Sequence, residues 1–308
     1  MKENSFVIGL DLGGTKVEAC LMDSNRKIYT RERTLVNCDE GLDNVINTIA
    51  GLIKATADGK PYAAVGMGTP GTYIVEEDKI YGSPNSRVYE TPGFIRRLKE
   101  VLGVPVLVEN DANCLALAEF FASCEGKYRY VLGVIMGTGF GTGLILDNKL
   151  YRGARGGAGE IGHTTIVYNG RLCGCGRKGC VEAYLSGSSL TRQYREMSGE
   201  KLDVPEIYSL YLKGDSHAVQ LFTESFKILG DVLSGVVNAL DLEAIILGGG
   251  VSNIPEWYKK ENVPYYMKKA LFGIPRGEIP LIKAKLGDSA GVAGAAYLAL
   301  RELGIMSF

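Results

Sequence analysis

Residues 7–23 read VIGLDLGGTKVEACLMD, and residues 131–147 read VLGVIMGTGFGTGLILD. The two stretches align without a gap. Val7 and Val131, Gly9 and Gly133, Gly13 and Gly137, and Asp23 and Asp147 are identical, and most other apolar positions match in kind. Each is an apolar run, a glycine turn and a returning apolar run, the pattern of a β-hairpin. Two apolar hairpins can look alike by chance, but a shared length and shared glycine positions suggest a duplicated domain. In the first copy, Phe6 to Leu12 is expected as one strand and Val17 to Asp23 as the next.

Strands and helices alternate around these hairpins. Leu42, Val45, Ile46, Ile49, Leu52 and Ile53 fall on one helical face. Ala63 to Gly68 reads as a buried strand ending in Thr69-Pro70-Gly71, residues 94–102 as a helix and Val104 to Val108 as a strand. A helix is expected from Asn110 to about Ser123, with Asn or Asp at its cap. Ser216 to Leu240 keeps helical apolar spacing, and Ala244 to Leu247 is an apolar strand running into Gly248-Gly249-Gly250. A last helix, Ala290 to Leu303, has alanine and glycine on its packing face. Alternation of this kind predicts α/β layers. The expected division is a smaller N-terminal α/β domain, residues 1–111, and a larger one, residues 112–288, with the helix in 289–308 returning to the first.

At 308 residues the chain can bury two sizeable cores, and 46% hydrophobic with 22% charged residues describes a globular protein. A net charge of −1 supplies no field to draw nucleic acid or an anionic membrane. The N-terminus lacks a signal-peptide pattern and no apolar run reaches membrane-span length; seven cysteines, three of them tightly clustered, fit a reducing compartment, so a cytoplasmic location is expected.

Two residue clusters carry chemistry. Cys173, Cys175 and Cys180 form C-x-C-x4-C, with His163 ten positions earlier. Thiolate and imidazole donors suit tetrahedral zinc, and four protein ligands would close the site, which marks a structural metal. Glycines 174, 176 and 179 let the backbone aim three sulfurs at one point. The other cysteines, Cys20, Cys38, Cys114 and Cys124, are scattered as inert buried residues are. Glu160 and Glu182 flank the zinc ligands and are candidates for what the loop presents.

The second cluster is a set of glycine turns after strands, at 11–16, 137–143 and 248–250. Backbone amides in such turns make anion-binding concavities. None matches the P-loop pattern, and the dinucleotide fingerprint is absent at the first strand, so three together point to another nucleotide cradle. Asp11 is the acidic residue inside its strand and reads as a site carboxylate near magnesium. Glu109-Asn110-Asp111-Ala112-Asn113 ends another buried strand, where ligands bind in open α/β sheets. Asp111 reads either as an N-cap carboxylate or as a general base taking a proton from a sugar hydroxyl. Asn110 would fix a neighbouring hydroxyl.

These motifs resemble the ROK family (repressors, open reading frames and kinases). They are D-L-G-G-T-K at 11–16, E-N-D-A-N at 109–113, G-T-G-x-G-x-G at 137–143, E-I-G-H at 160–163, C-G-C-G-x-x-G-C-x-E at 173–182 and L-G-G-G at 247–250. The resemblance runs nearly end to end. It implies a two-domain actin-like, ribonuclease-H-type fold with an interdomain cleft, and ATP-dependent phosphorylation of a hexose, usually at the 6-hydroxyl. Carried over by position, it makes Asp111 the catalytic base. It places Asn110, Glu160, His163 and Glu182 on the sugar with Gly71 close by, and zinc on His163, Cys173, Cys175 and Cys180. Asp11, Gly13, Gly14, Thr15, Lys16, Gly137, Thr138 and Gly139 would surround the phosphates of ATP and its Mg2+, and Gly248, Gly249 and Gly250 would lie near adenosine. His163 would ligate zinc through one nitrogen and meet sugar with the other.

The short gap from His163 to Cys173 resembles the family's glucokinases. The segments 184–187, 247–253 and 283–296 resemble its N-acetylglucosamine kinases and fructokinases, and Ser83-Pro84-Asn85-Ser86 departs from glucokinase wording. Glucose or N-acetylglucosamine is therefore expected, then fructose or mannose, in a homodimer or homotetramer. A sugar-responsive repressor of the same family would carry a helix-turn-helix module before the first strand, and Asp11 lies too early for one. A sugar-binding protein without turnover would not need Asp111 and all three glycine turns.

Overall fold

The computed structural model describes residues 5–83, 86–124, 126–273 and 277–305. Pro84 and Asn85, whose wording bears on the sugar, and residues 306–308 lie outside them. The chain divides into two compact units, 1–121 with 149–158 and 288–308, and 122–148 with 159–287. The first unit thus runs past the expected boundary at 111 and takes in 149–158, which the sequence had assigned to the second.

In the first unit, β1 (Phe6–Leu12), β2 (Lys16–Met22) and β3 (Ile28–Leu35) form a meander. Helix α1 (Leu42–Ala57) leads to β4 (Tyr62–Thr69), and a small hairpin, β5 (Thr72–Ile74) and β6 (Lys79–Tyr81), follows. Then come α2 (Phe94–Leu102), β7 (Val106–Asn110) and α3 (Asp111–Cys124). The sheet order is β3-β2-β1-β4-β7, with β1, β4 and β7 parallel. Strand β1 reads as a continuous apolar run because both its faces are covered. The apolar stripes of α1 and α2 (Val45, Ile49, Ile53, Phe94, Leu98) share one core with Ile8, Leu10, Val65 and Met67.

The final helix of the chain, Ala290–Glu302, packs on β1 and β4. A Cβ on Gly9 or Gly66 would overlap backbone carbonyls of that helix, at Val292 and Ala295. Glycine in the strands and alanine in the helix bring the two backbones together.

In the second unit, β8 (Val131–Met136) pairs antiparallel with β9 (Phe140–Leu146); the two-residue β10 (Lys149–Leu150), next in sequence, belongs to the first unit. Helices α4 (Glu182–Leu185), α5 (Gly187–Ser198), α6 (Val204–Leu212) and α7 (Ser216–Leu240) come next. Strand β11 (Ala244–Gly248) lies parallel to β8 and to β12 (Leu281–Lys283), with α8 (Val263–Ala270) before β12. The last helix of the chain is therefore α9. Leu221, Phe222, Phe226, Leu229 and Leu233 of α7 bury against Trp257, Ile245 and Leu247.

The duplication is visible in this topology. Each sheet holds a glycine-turn hairpin whose first strand is followed outward by two parallel strands. The turns differ in length: Leu12 pairs with Val17, whereas Met136 pairs with Phe140. The second turn is one residue tighter, so the gapless alignment slips by one in the returning strand.

Candidate functional site

Strand β7 starts later than expected, at Val106, because Pro105 has no N–H to donate to the ladder. It ends at Asn110, which pairs with Thr69, and α3 starts at the next residue. The capping oxygen is that of Asn110: its Oδ1 accepts from the N–H of Ala112 at 2.9 Å and of Asn113 at 3.4 Å. Asp111 is therefore not the cap. It stands at the first helical position, exposed, with Oδ1 2.8 Å from the N–H of Ala112. The Asn110 amide also donates to the carbonyl of Gly71 at 3.1 Å. Gly71 has φ +82°, and a Cβ there would overlap the carbonyl oxygen of Tyr81, so the turn after β4 requires glycine. Capping and bridging engage one oxygen and one hydrogen of the Asn110 amide, which narrows the part it can take toward a hydroxyl. Buried Glu109 supports this corner: it accepts from the Asn110 N–H and the Asn113 amide, both at 2.9 Å, and pairs with Arg152, which also reaches Glu302 at 3.3 Å.

Asp11 lies half-buried in β1, beside the N-terminus of α9, where a Cβ on Gly291 would stand 2.6 Å from Oδ2. Burial pushes its carboxyl up from 3.8 to about 6, the charges of Asp111 and Glu18 push the same way, and Arg33 opposes them. A buried carboxyl beside a second carboxylate is a fitting place for a divalent cation. Gly13 and Gly14 form the β1–β2 turn, Thr15 and Lys16 are exposed, and the Gly13 N–H closes the turn on the Lys16 carbonyl at 2.9 Å.

In the second unit, Gly137, Thr138 and Gly139 make the tight β8–β9 turn. The N–H of Gly187, at the start of α5, donates to the Gly137 carbonyl at 2.8 Å, and Ser188 Oγ to that of Thr138 at 2.7 Å. A cavity of about 680 Å³ opens here, lined by Gly137, Thr138 and Gly250. Its apolar walls, Val204, Pro205, Tyr208, Val251 and Ile254, were not read as site residues. At the start of a helix they look like ordinary core, and no spacing rule marks them. Gly248 is the last residue of β11 and is not among the lining residues. Gly249, with φ +83°, lets the chain pass the Met136 backbone.

His163, Cys173, Cys175 and Cys180 converge, their ligand atoms all lying within 4.8 Å of one another. Cys173 Sγ is 3.7 Å from His163 Nδ1, and Cys175 Sγ is 3.8 Å from Cys180 Sγ. A tetrahedron with metal–sulfur arms of about 2.3 Å has edges of about 3.8 Å, so the donor set and its spacing fit one tetrahedral ion. Contact of Nδ1 with the sulfurs leaves Nε2 facing elsewhere. Burial raises the Cys173 thiol, and a divalent ion is what would make thiolates tenable there.

Glu182 joins this loop to the phosphate-type turn. Its Oε2 accepts from the Phe140 N–H at 3.0 Å, and Cys173 Sγ lies 3.5 Å from its Oε1. Glu160 is exposed and opens the short turn Glu160–His163. The expected site residues therefore form two groups. Asp11, the turn 13–16, Gly71, Asn110 and Asp111 lie in one unit; the turn 137–139, Glu160, His163, Glu182, the cysteines and 248–250 lie in the other.

The family model described as ROK family matches residues 7–302. The N-acetyl-D-glucosamine kinase of Mannheimia succiniciproducens is 37% identical over 312 residues, covering 96% of this chain and 100% of that one. The ROK hexokinase from Thermus thermophilus superposes with a TM-score of 0.88 at 34% identity, covering 97% of this chain and 99% of that one. A ROK family glucokinase from Streptomyces griseus, solved with glucose and AMPPNP, gives a TM-score of 0.76 at 30% identity, covering 96% and 99%.

Proposed function

Because the chain belongs to the ROK family, we propose that it is an ATP-dependent sugar kinase acting on a hexose, with N-acetylglucosamine or glucose as the acceptor. The observation that carries the reading is the junction of β7 and α3. There Asn110 caps the helix and Asp111, one residue on, places an exposed carboxylate at its first position. Similarity to a kinase of N-acetylglucosamine and to hexose kinases over nearly the full length supports the substrate class.

In this reading Asp111 takes the proton from the attacking sugar hydroxyl. That oxygen bonds to the γ-phosphorus of ATP as the bridge to the β-phosphate breaks, releasing ADP. Gly71, Asn110, Glu160, His163 and Glu182 hold the remaining hydroxyls, His163 through Nε2. The backbone amides of the turns at 13–16 and 137–139 bind phosphate oxygens, and the apolar cavity beside Gly250 takes the adenine. Asp11 would hold a magnesium ion, which when bound would supply neutralisation of charge on the phosphates. His163, Cys173, Cys175 and Cys180 would hold zinc, which would fix the loop that carries the sugar-facing groups. A cytoplasmic homodimer or homotetramer completes the proposal, and sedimentation equilibrium tests the assembly.

A coupled ATP assay across N-acetylglucosamine, glucose, N-acetylmannosamine, fructose, mannose and allose should show turnover highest with one of the first two. Asp111→Asn should lose roughly 10²–10⁴-fold in kcat while sugar affinity stays within about tenfold. Absence of turnover with every sugar would overturn the kinase reading, and full activity of Asp111→Asn would remove that residue as the base.

A further inference from the structure

Three consecutive carbonyls of the β1–β2 turn are held from behind. Tyr89 Oη donates to the carbonyl of Gly13 at 3.0 Å, Cys38 Sγ donates to that of Gly14 at 3.4 Å, and the Val36 N–H donates to that of Thr15 at 3.0 Å. In a trans peptide the C=O and the following N–H point in opposite directions. A donor on each of the carbonyls of residues 13, 14 and 15 therefore turns the N–H groups of 14, 15 and 16 away from Tyr89, Cys38 and Val36 in turn. Among the described residues, none accepts a hydrogen bond from the N–H of Gly14 or Thr15. Neighbouring amides aimed the same way make an anion-binding concavity.

We propose that Tyr89 and Cys38 are positioning residues of the donor-phosphate loop, holding the Gly13 and Gly14 peptide planes so that the amides of Gly14 and Thr15 bind a phosphate oxygen of a nucleoside triphosphate. The identity of the anion rests on the kinase reading above; the orientation of the amides does not. Tyr89 is suited to the task. Its ring is fully buried and stacks on Phe94 at 5.6 Å, and its hydroxyl is placed by that packing rather than by solvent. Burial and a bond with the Cys38 side chain push the hydroxyl's titration upward, so it stays a donor. A buried hydroxyl without a partner would be costly, which ties the Tyr89 side chain to the loop. Cys38 opens the short turn Cys38–Glu40, set by the Asn37 side chain accepting from Asp39. It is half-buried, and its thiol donates to the loop.

The test is MgATP titration of the full chain by calorimetry without sugar, alongside steady-state kinetics. Tyr89→Phe removes one oxygen and Cys38→Ala one thiol. Each is expected to weaken MgATP binding roughly 3- to 10-fold, with the loss in KM for ATP rather than in kcat and with KM for sugar unmoved. Cys38→Ser, which keeps a donor, should recover part of the loss. Folded Tyr89→Phe that binds MgATP as wild type does would overturn the proposal. Where Tyr89→Phe does not fold, Cys38→Ala decides by the same measurement, and unchanged affinity there overturns it equally. Wild-type protein that binds no MgATP would instead sink the donor reading itself. Asp111→Asn that binds MgATP but does not turn it over leaves that reading standing.

Discussion

The carboxylates near the turn of β1 show how much one residue's surroundings decide. Asp11 was legible as an acid inside an apolar strand, but its titration was not, because burial and the charge of Asp111 come from elements far away in sequence. A folded-state pKa of about 6 against an ordinary 3.8 means that the folded chain holds this proton more tightly than the unfolded chain. The resulting stability is fully present below the unfolded pKa and is lost as pH rises through about 6. A shift of about two units corresponds to at most about 3 kcal/mol. Asp11→Asn, which cannot ionise, should therefore equal wild type in stability near pH 4 and exceed it by about 1–3 kcal/mol at pH 8. Denaturant unfolding at the two pH values reads this directly; an equal gain at both would mean that the strain is not electrostatic. The same substitution should remove magnesium-dependent ATP binding, so stability and function pull in opposite directions at this position.

Among the elements, the zinc-type loop was the most legible, because cysteine spacing is a local signal. What it holds was less so. Glu182 was picked as a flanking acid, but its bond to the Phe140 N–H spans 42 positions, and no local pattern announces it. Tyr89 and Cys38 were missed for the same reason: one sits in an irregular turn and the other looked like any buried thiol. Strand β7 was placed two residues early because its apolar run begins at Val104, whereas Pro105 delays the ladder. Its end matters more: it runs to Asn110 rather than Val108, and Asn110 caps α3. Cys175 is the exposed member of the cluster, so replacing it disturbs little packing. Cys175→Ser should then report on the metal rather than on a cavity. Elemental analysis of wild type is expected to give one zinc per chain. The variant should lose it, with a drop in Tm on the order of 5 °C, or about 1–2 kcal/mol for a chain of this kind. A chelator should lower wild type toward the variant and leave the variant unmoved. Zinc-free wild type with the same Tm would show that the loop stands without an ion.

For the whole molecule, the repeat at 7–23 and 131–147 foretold two α/β units because each hairpin lies in its own sheet. The internal repeat could not reveal that the first unit is assembled from three stretches of chain, since 149–158 carries no pattern of its own. The last helix was expected to return to the first unit, and the contact explains its small residues: Gly9 and Gly66 admit its backbone, and Gly294 lies against the Cys114 carbonyl. Val292, Leu298 and Leu300 of α9 are buried, and at roughly 1.5–3 kcal/mol each they contribute about 5–9 kcal/mol before the alanines are counted. That is comparable with the whole margin of a typical domain, about 5–15 kcal/mol. A chain ending at residue 287 should therefore fail to hold its first sheet, while every residue of the second unit is still present. Hydrogen exchange is expected to find β1 and β4 unprotected, and α7 and β11 protected, with zinc retained. Protection of β1 in the shortened chain would mean that the sheet is stabilised chiefly by α1 and α2 on its other face, and that α9 is a covering rather than a structural requirement.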